Sequence, residues 1–169
     1  MTSFECTICG KSHDLLDLTL GADAPALWHA LSEAEMAESE LTEEQCFIVR
    51  DDGDMQGYVR ACLDVPILGS EHAFTWGVWV EVANDDFDAI SDHWEDPART
   101  TLGPYAGQLA TPVPGYRDTL RLAVRLRQRE VGLRPLVETG ASEHPLAQHQ
   151  RVGVEASWLG AVVAQFFHD

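Results

Sequence analysis

The stretch that most constrains this chain is Gly57 to Val82, GYVRACLDVPILGSEHAFTWGVWVEV, its most apolar and aromatic run. In its second half Phe74, Trp76, Val78, Val80 and Val82 alternate with Thr75, Gly77, Trp79 and Glu81. Alternation with period two, in β-branched and aromatic residues, specifies a strand with one face on the core. The first half places Val59, Ala61, Leu63 and Val65 on one face and Tyr58, Arg60, Cys62 and Asp64 on the other. Pro66 donates no ladder hydrogen bond, so this strand frays or bulges there, and Gly69-Ser70-Glu71 turns the chain back. The outward Trp79, beside Gly77, admits two readings: a helix packs over it, or a half-covered surface receives a ligand.

The rest must cover that hairpin, and 169 residues suffice for one domain with a real core, here taken as residues 1–169 with 1–15 as a metal-knuckle-like N-terminal segment. No apolar run approaches the ~20 residues of a membrane helix, and the first residues do not form a signal peptide, so a cytoplasmic protein is expected. The net charge of -17, from 28 acidic and 11 basic side chains, argues against nucleic acid as a partner and would suit a basic protein. In a cytoplasmic chain, four cysteines point to metal ligation or free thiols rather than disulfides.

Cys6-Thr7-Ile8-Cys9-Gly10 has the form of a zinc knuckle: two thiolates on one tight turn, with a glycine whose backbone freedom lets amide N–H groups face sulfur. A tetrahedral ion needs two more donors. His13 lies four residues beyond Cys9, and Cys46, at the start of a strand, is the favoured distant candidate. The expected zinc site is thus Cys6, Cys9, His13 and Cys46, with Cys62 and the other histidines in competition. A thioredoxin-like role is disfavoured, because no strand precedes the motif and no helix follows it directly.

Elsewhere, helical character runs from Asp23 to Glu40, restarting at Ser32 with Glu33 and Glu35 in the first turn. Phe47 to Asp51 reads as a strand, and the turn Asp51-Asp52-Gly53-Asp54 lacks the spacing of a calcium loop. A helix capped by Asn84 reaches about Glu95, and Asp96 to Pro114 is rich in loop-forming residues. Asp118 to Arg129 reads as a strand with Leu120, Leu122, Val124 and Leu126 on one face and Arg121, Arg125, Arg127 and Arg129 on the other. Arg117 to Arg134 holds six of the eleven basic residues in eighteen positions. This stripe either neutralises carboxylates on neighbouring strands or binds a small anion. The anion reading uses Arg60, Trp79, Arg121 and Arg125, with Asp64, Glu81 and Glu138 as competing partners. Helices follow from Pro145 and, after an interruption at Gly153, from Val154 to His168.

Several chemistries have no motif here. The sequence lacks a G-x-S-x-G elbow, a phosphate-cradling glycine loop and H-E-x-x-H, and its one lysine is Lys11. The segments CTICGKSH, EQCFIV, VRACLDVPILGS, FTWGVWVEV, PVPGYRDTLRL, VGLRPLVE and EHPLAQHQRVG, in this order, resemble the bacterial family called domain of unknown function 2199. The resemblance implies a small bacterial cytosolic protein and transfers no catalytic residue. The expected fold is α+β: a mostly antiparallel sheet of about five or six strands, the C-terminal helix on one face, the knuckle at an edge. The expected function is a binding or interaction module with a structural zinc. The alternatives are an enzyme or binder acting on a small anionic ligand, and an acidic immunity-type inhibitor of a basic toxin.

Overall fold

In the computed structural model, which describes residues 1–168, the chain forms ten strands and four α-helices. In order these are β1 (Ser3–Glu5), β2 (Ser12–Asp14), β3 (Leu20–Gly21), α1 (Glu33–Glu38), β4 (Glu40–Leu41), β5 (Gln45–Val49), β6 (Met55–Pro66), β7 (Ala73–Val82), α2 (Asn84–Asp92), β8 (Tyr105–Leu109), β9 (Ala123–Arg127), β10 (Leu136–Glu138), α3 (Pro145–Val152) and α4 (Ala156–Phe167). Short 3₁₀ segments occupy Leu15–Asp17, Ala26–Ala30 and Pro97–Thr101. No helix among the described residues is long and apolar enough to cross a membrane.

The hairpin expected from Gly57 to Val82 is the centre of the fold. β6 and β7 pair antiparallel in one unbroken register from Gly57↔Val82 to Pro66↔Ala73. Their alternating residues Val59, Ala61, Leu63, Val65, Phe74, Trp76, Val78, Val80 and Val82 all enter the main core. Both strands are long enough to divide their second edges. β6 gives one end of that edge to β5 (Gln45↔Val59 to Val49↔Met55) and the other to β10 (Leu136↔Cys62). β7 divides its edge between β3 (Gly21↔Gly77) and β8 (Val80↔Leu109).

The sheet therefore closes. β6, β7, β8, β9 and β10 form a ring, antiparallel throughout except for the β10–β6 pair, which is parallel. The pairing is mostly antiparallel as expected, but the simple sheet of about five or six strands is corrected: a closed five-strand barrel carries β3, β4 and β5 as additions. Closure removes the edges that an open sheet would leave unpaired. The core also takes Ile90 of α2, Leu146 of α3, and Leu159, Val163 and Ala164 of α4.

Arg99 supports the closure. It is 1% exposed, and its guanidinium donates to the carbonyls of Trp94, Arg129, Glu130 and Leu133 while lying over the Trp94 ring, 5.0 Å from its centroid. Three of those carbonyls belong to the connection from β9 to β10, so one side chain satisfies a loop that would otherwise bury unpaired acceptors.

A second, smaller core lies on the outer face of β5–β7. Cys46, Ile48, Tyr58, Trp79 and Ala110 meet Leu31, with Leu27, Trp28, Met36 and Leu41 packed around them. The covering segment is held by α1, whose Ser32 and Glu35 form a reciprocal capping box. At its start β3 runs so close to β7 that a Cβ on Gly21 would lie 2.7 Å from the Cα of Gly77. This contact explains a glycine beside Trp79. Asn84 is the first residue of α2 rather than its cap, which is Ala83.

Candidate metal centre

The N-terminal hairpin brings the knuckle residues together. β1 and β2 pair with Phe4 opposite His13, and the Cys6–Cys9 turn lies between them. The turn closes through the Gly10 amide donating to the Cys6 carbonyl at 2.8 Å, with Gly10 at φ +69. The other part of the site comes from α4. Gly160 lies under Phe4 so tightly that a Cβ there would fall on the Phe4 ring, which lets the helix seat against β1. His168, the residue that ends α4, thereby reaches the knuckle.

The ligand atoms of Cys6, Cys9, His13 and His168 all lie within 4.8 Å of one another. Cys6 Sγ is 3.1 Å from His168 Nε2, and Cys9 Sγ is 3.2 Å from His13 Nε2. The two imidazoles meet edge to face with centroids 6.4 Å apart. Cys6 is buried, Cys9 and His168 are exposed, and His13 is half-buried. The backbone N–H of Cys9, then that of Ile8 and the His168 ring, hold the Cys6 thiol down to about 7 against the effect of its burial. A thiol so placed is substantially thiolate near neutrality, the form that binds metal. Two soft sulfurs and two imidazole nitrogens at these separations form a set able to hold a metal ion.

Cys46, the expected fourth ligand, is not in this group. It sits on β5 opposite Tyr58, is 1% exposed in the second core, and burial pushes its thiol up to about 12. His168 stands where Cys46 was expected. The only sequence signal for it was its chemistry, since 155 residues separate it from His13. Cys62 lies half-buried on β6, its thiol also raised by burial, and is outside the group.

The expected anion surface is broken up. Trp79 is 0% exposed, and its indole N–H donates to the Ala22 carbonyl at 2.9 Å beneath the 22–41 segment. A covering segment, not a ligand, explains its outward direction. Arg60 does neighbour it, as its cross-strand partner, with the guanidinium carbon 5.8 Å from the ring centroid. Arg60 donates to the Glu43 carbonyl and pairs loosely with Asp23 at 3.5 Å. Arg125 lies exposed on β9, and Arg121 is not on that strand at all. The strand expected from Asp118 is only Ala123–Arg127, because Asp118 (φ 54) and Arg121 (φ 68) take left-handed backbone and turn the chain. Of the remaining stripe, Arg127 is paired with Glu138, Arg129 donates to the Arg134 carbonyl, and Arg134 is bidentate on Glu44.

The family profile described as "Uncharacterized protein conserved in bacteria (DUF2199)" matches residues 5–154. The chain belongs to the DUF2199 family. That match contains Cys6, Cys9 and His13 of this DUF2199 protein, whereas His168 lies beyond the matched residues. Comparison with curated proteins and with solved structures gave no significant match.

Proposed function

We propose that this DUF2199 protein is a binding or interaction module whose N-terminal hairpin is locked to α4 by a structural zinc ion held by Cys6, Cys9, His13 and His168. One observation carries the reading: four N and S donors converge within 4.8 Å. Zinc favours a tetrahedral shell of thiolate and imidazole, and a shell completed by four protein donors leaves no position for substrate or water. The metal's role is then to fix the knuckle turn to the end of α4, adding to the packing of Phe4 on Gly160.

Protein purified without chelator is expected to contain one zinc per chain by elemental analysis. Cys6→Ser should release it and loosen residues 1–15 in hydrogen exchange, with the barrel amides still protected. Metal-free protein whose Cys6 and Cys9 both react freely with a thiol reagent would overturn the reading.

A further inference from the structure

A second site stands on the outer face of the barrel, built by the register of three strands. Tyr58 of β6, Glu81 of β7 and Gln108 of β8 are successive cross-strand partners, so their side chains form a row. This row floors a cleft of about 520 Å³, walled by Ala26 and Leu27 on one side and by Leu120 and Arg121 on the other. The size is that of a small-molecule site.

The polar groups in the cleft are unfilled. Among the described residues the side chains of Glu81, Gln108 and Arg121 make no hydrogen bond or ion pair with the protein. Tyr58 donates to Gln56 Oε1 at 2.6 Å, which orients that amide beside the row. Burial pushes the Glu81 carboxyl above the usual carboxylate range, and Asp54 adds to the rise while the charge of Arg121 opposes it. Arg121 is held in place at an energetic cost. Its backbone is left-handed at φ 68, fixed by its N–H donating to the Leu109 carbonyl at 2.7 Å and by the Leu122 N–H donating to Thr119. This turn fixes the Arg121 backbone at the mouth of the cleft.

We propose that this cleft binds a small zwitterion of the free amino acid type, its ammonium on Glu81 and its carboxylate on Arg121. The two side chains have opposite charge and line one cavity, close enough to feel each other's charge but with no hydrogen bond or ion-pair contact between them. A simple anion meets Arg121 but is repelled by Glu81 and Asp54, in a chain of net charge -17. A simple cation is repelled by Arg121. A molecule with both charges satisfies both walls, and the Gln56 and Gln108 amides supply further hydrogen bonds. The site is independent of the metal.

The test titrates the full chain with each of the twenty free amino acids, and with acetate and methylammonium as half-ligands, by calorimetry. At least one amino acid is expected to bind once per chain with a Kd below about 1 mM. Each half-ligand should bind about tenfold or more weakly, and Glu81→Gln and Arg121→Gln should each cost about tenfold or more. Arg121 is exposed, so Arg121→Gln will report on binding even if the Glu81 variant folds poorly. Binding should persist in Cys6→Ser. Failure of every amino acid at 10-fold the expected Kd, binding untouched by Arg121→Gln, or binding lost in Cys6→Ser through metal chelation would each overturn the proposal.

Discussion

Replacing His168 by alanine separates the two candidate ligand sets. Structural zinc in small domains contributes apparent binding free energies of about 10–16 kcal/mol, or about 2.5–4 kcal/mol per ligand when shared by four. At 1.4 kcal/mol per factor of ten, removing one ligand weakens zinc by about 60-fold to about 700-fold. His168 is exposed, so its truncation leaves no cavity to confuse the result. Cys46 is the reverse case. It is 1% exposed, and Cys46→Ser puts a hydroxyl into the second core, for a stability loss of about 1–3 kcal/mol with zinc retained. The assay is competition against a chromophoric chelator, with urea melts of the metal-free proteins alongside. His168→Ala binding zinc within about threefold of the parent, or Cys46→Ser releasing the metal, would refute the assignment.

Arg99→Met should destabilise the chain by about 3–5 kcal/mol in urea, because four carbonyls lose a buried charged donor; that is a large share of the 5–15 kcal/mol typical of a domain. Gly21→Ala should cost about 1–3 kcal/mol, since β3 must retreat from the Gly77 backbone, and amide exchange should rise at Ala22 and Gly77. Glu35 is held down to about 2, first by the hydrogen bond from Arg50 and then by the Ser32 N–H. A carboxyl depressed in the folded state stabilises above its unfolded value near 4.5 and loses that contribution as pH falls toward about 2. Glu35→Gln should therefore lower stability at pH 6 and flatten the acid limb of the stability profile between those values.

What could be read from sequence was local. The alternation in Gly57 to Val82 set both strands and their inward faces, because period two is a property of neighbouring residues. The knuckle turn and the Ser32 start of α1 were equally local. Trp79 showed its outward direction but not its cover, which arrives from residues 22–41. The arginine stripe failed where non-glycine residues adopt left-handed backbone, a choice made by the surroundings of Arg121 rather than by its side chain. His168 joins Cys6 across 162 positions, and only the seating of α4 on β1 brings them together. The closed barrel was equally hidden, since its last contact is one parallel pair between segments far apart in the chain.

That last contact is the shortest pairing of the ring. Leu136↔Cys62 is the single register pair of the seam, with the Cys62 N–H donating to the Pro135 carbonyl at 2.8 Å, whereas the neighbouring seams hold three to ten pairs. The Gln150 amide also spans this seam, donating to the Asp64 carbonyl of β6 at 3.2 Å and to the Val137 carbonyl of β10 at 2.8 Å, and the paired residue of β6 is a cysteine. Of the two thiols outside the Cys/His cluster, Cys46 is sealed in the second core and Cys62 is half-buried, so Cys62 is the one that a slow alkylating reagent should reach. Because Cys62 already lines an open cleft with Arg129 and Arg134, its labelling should proceed with the ring closed.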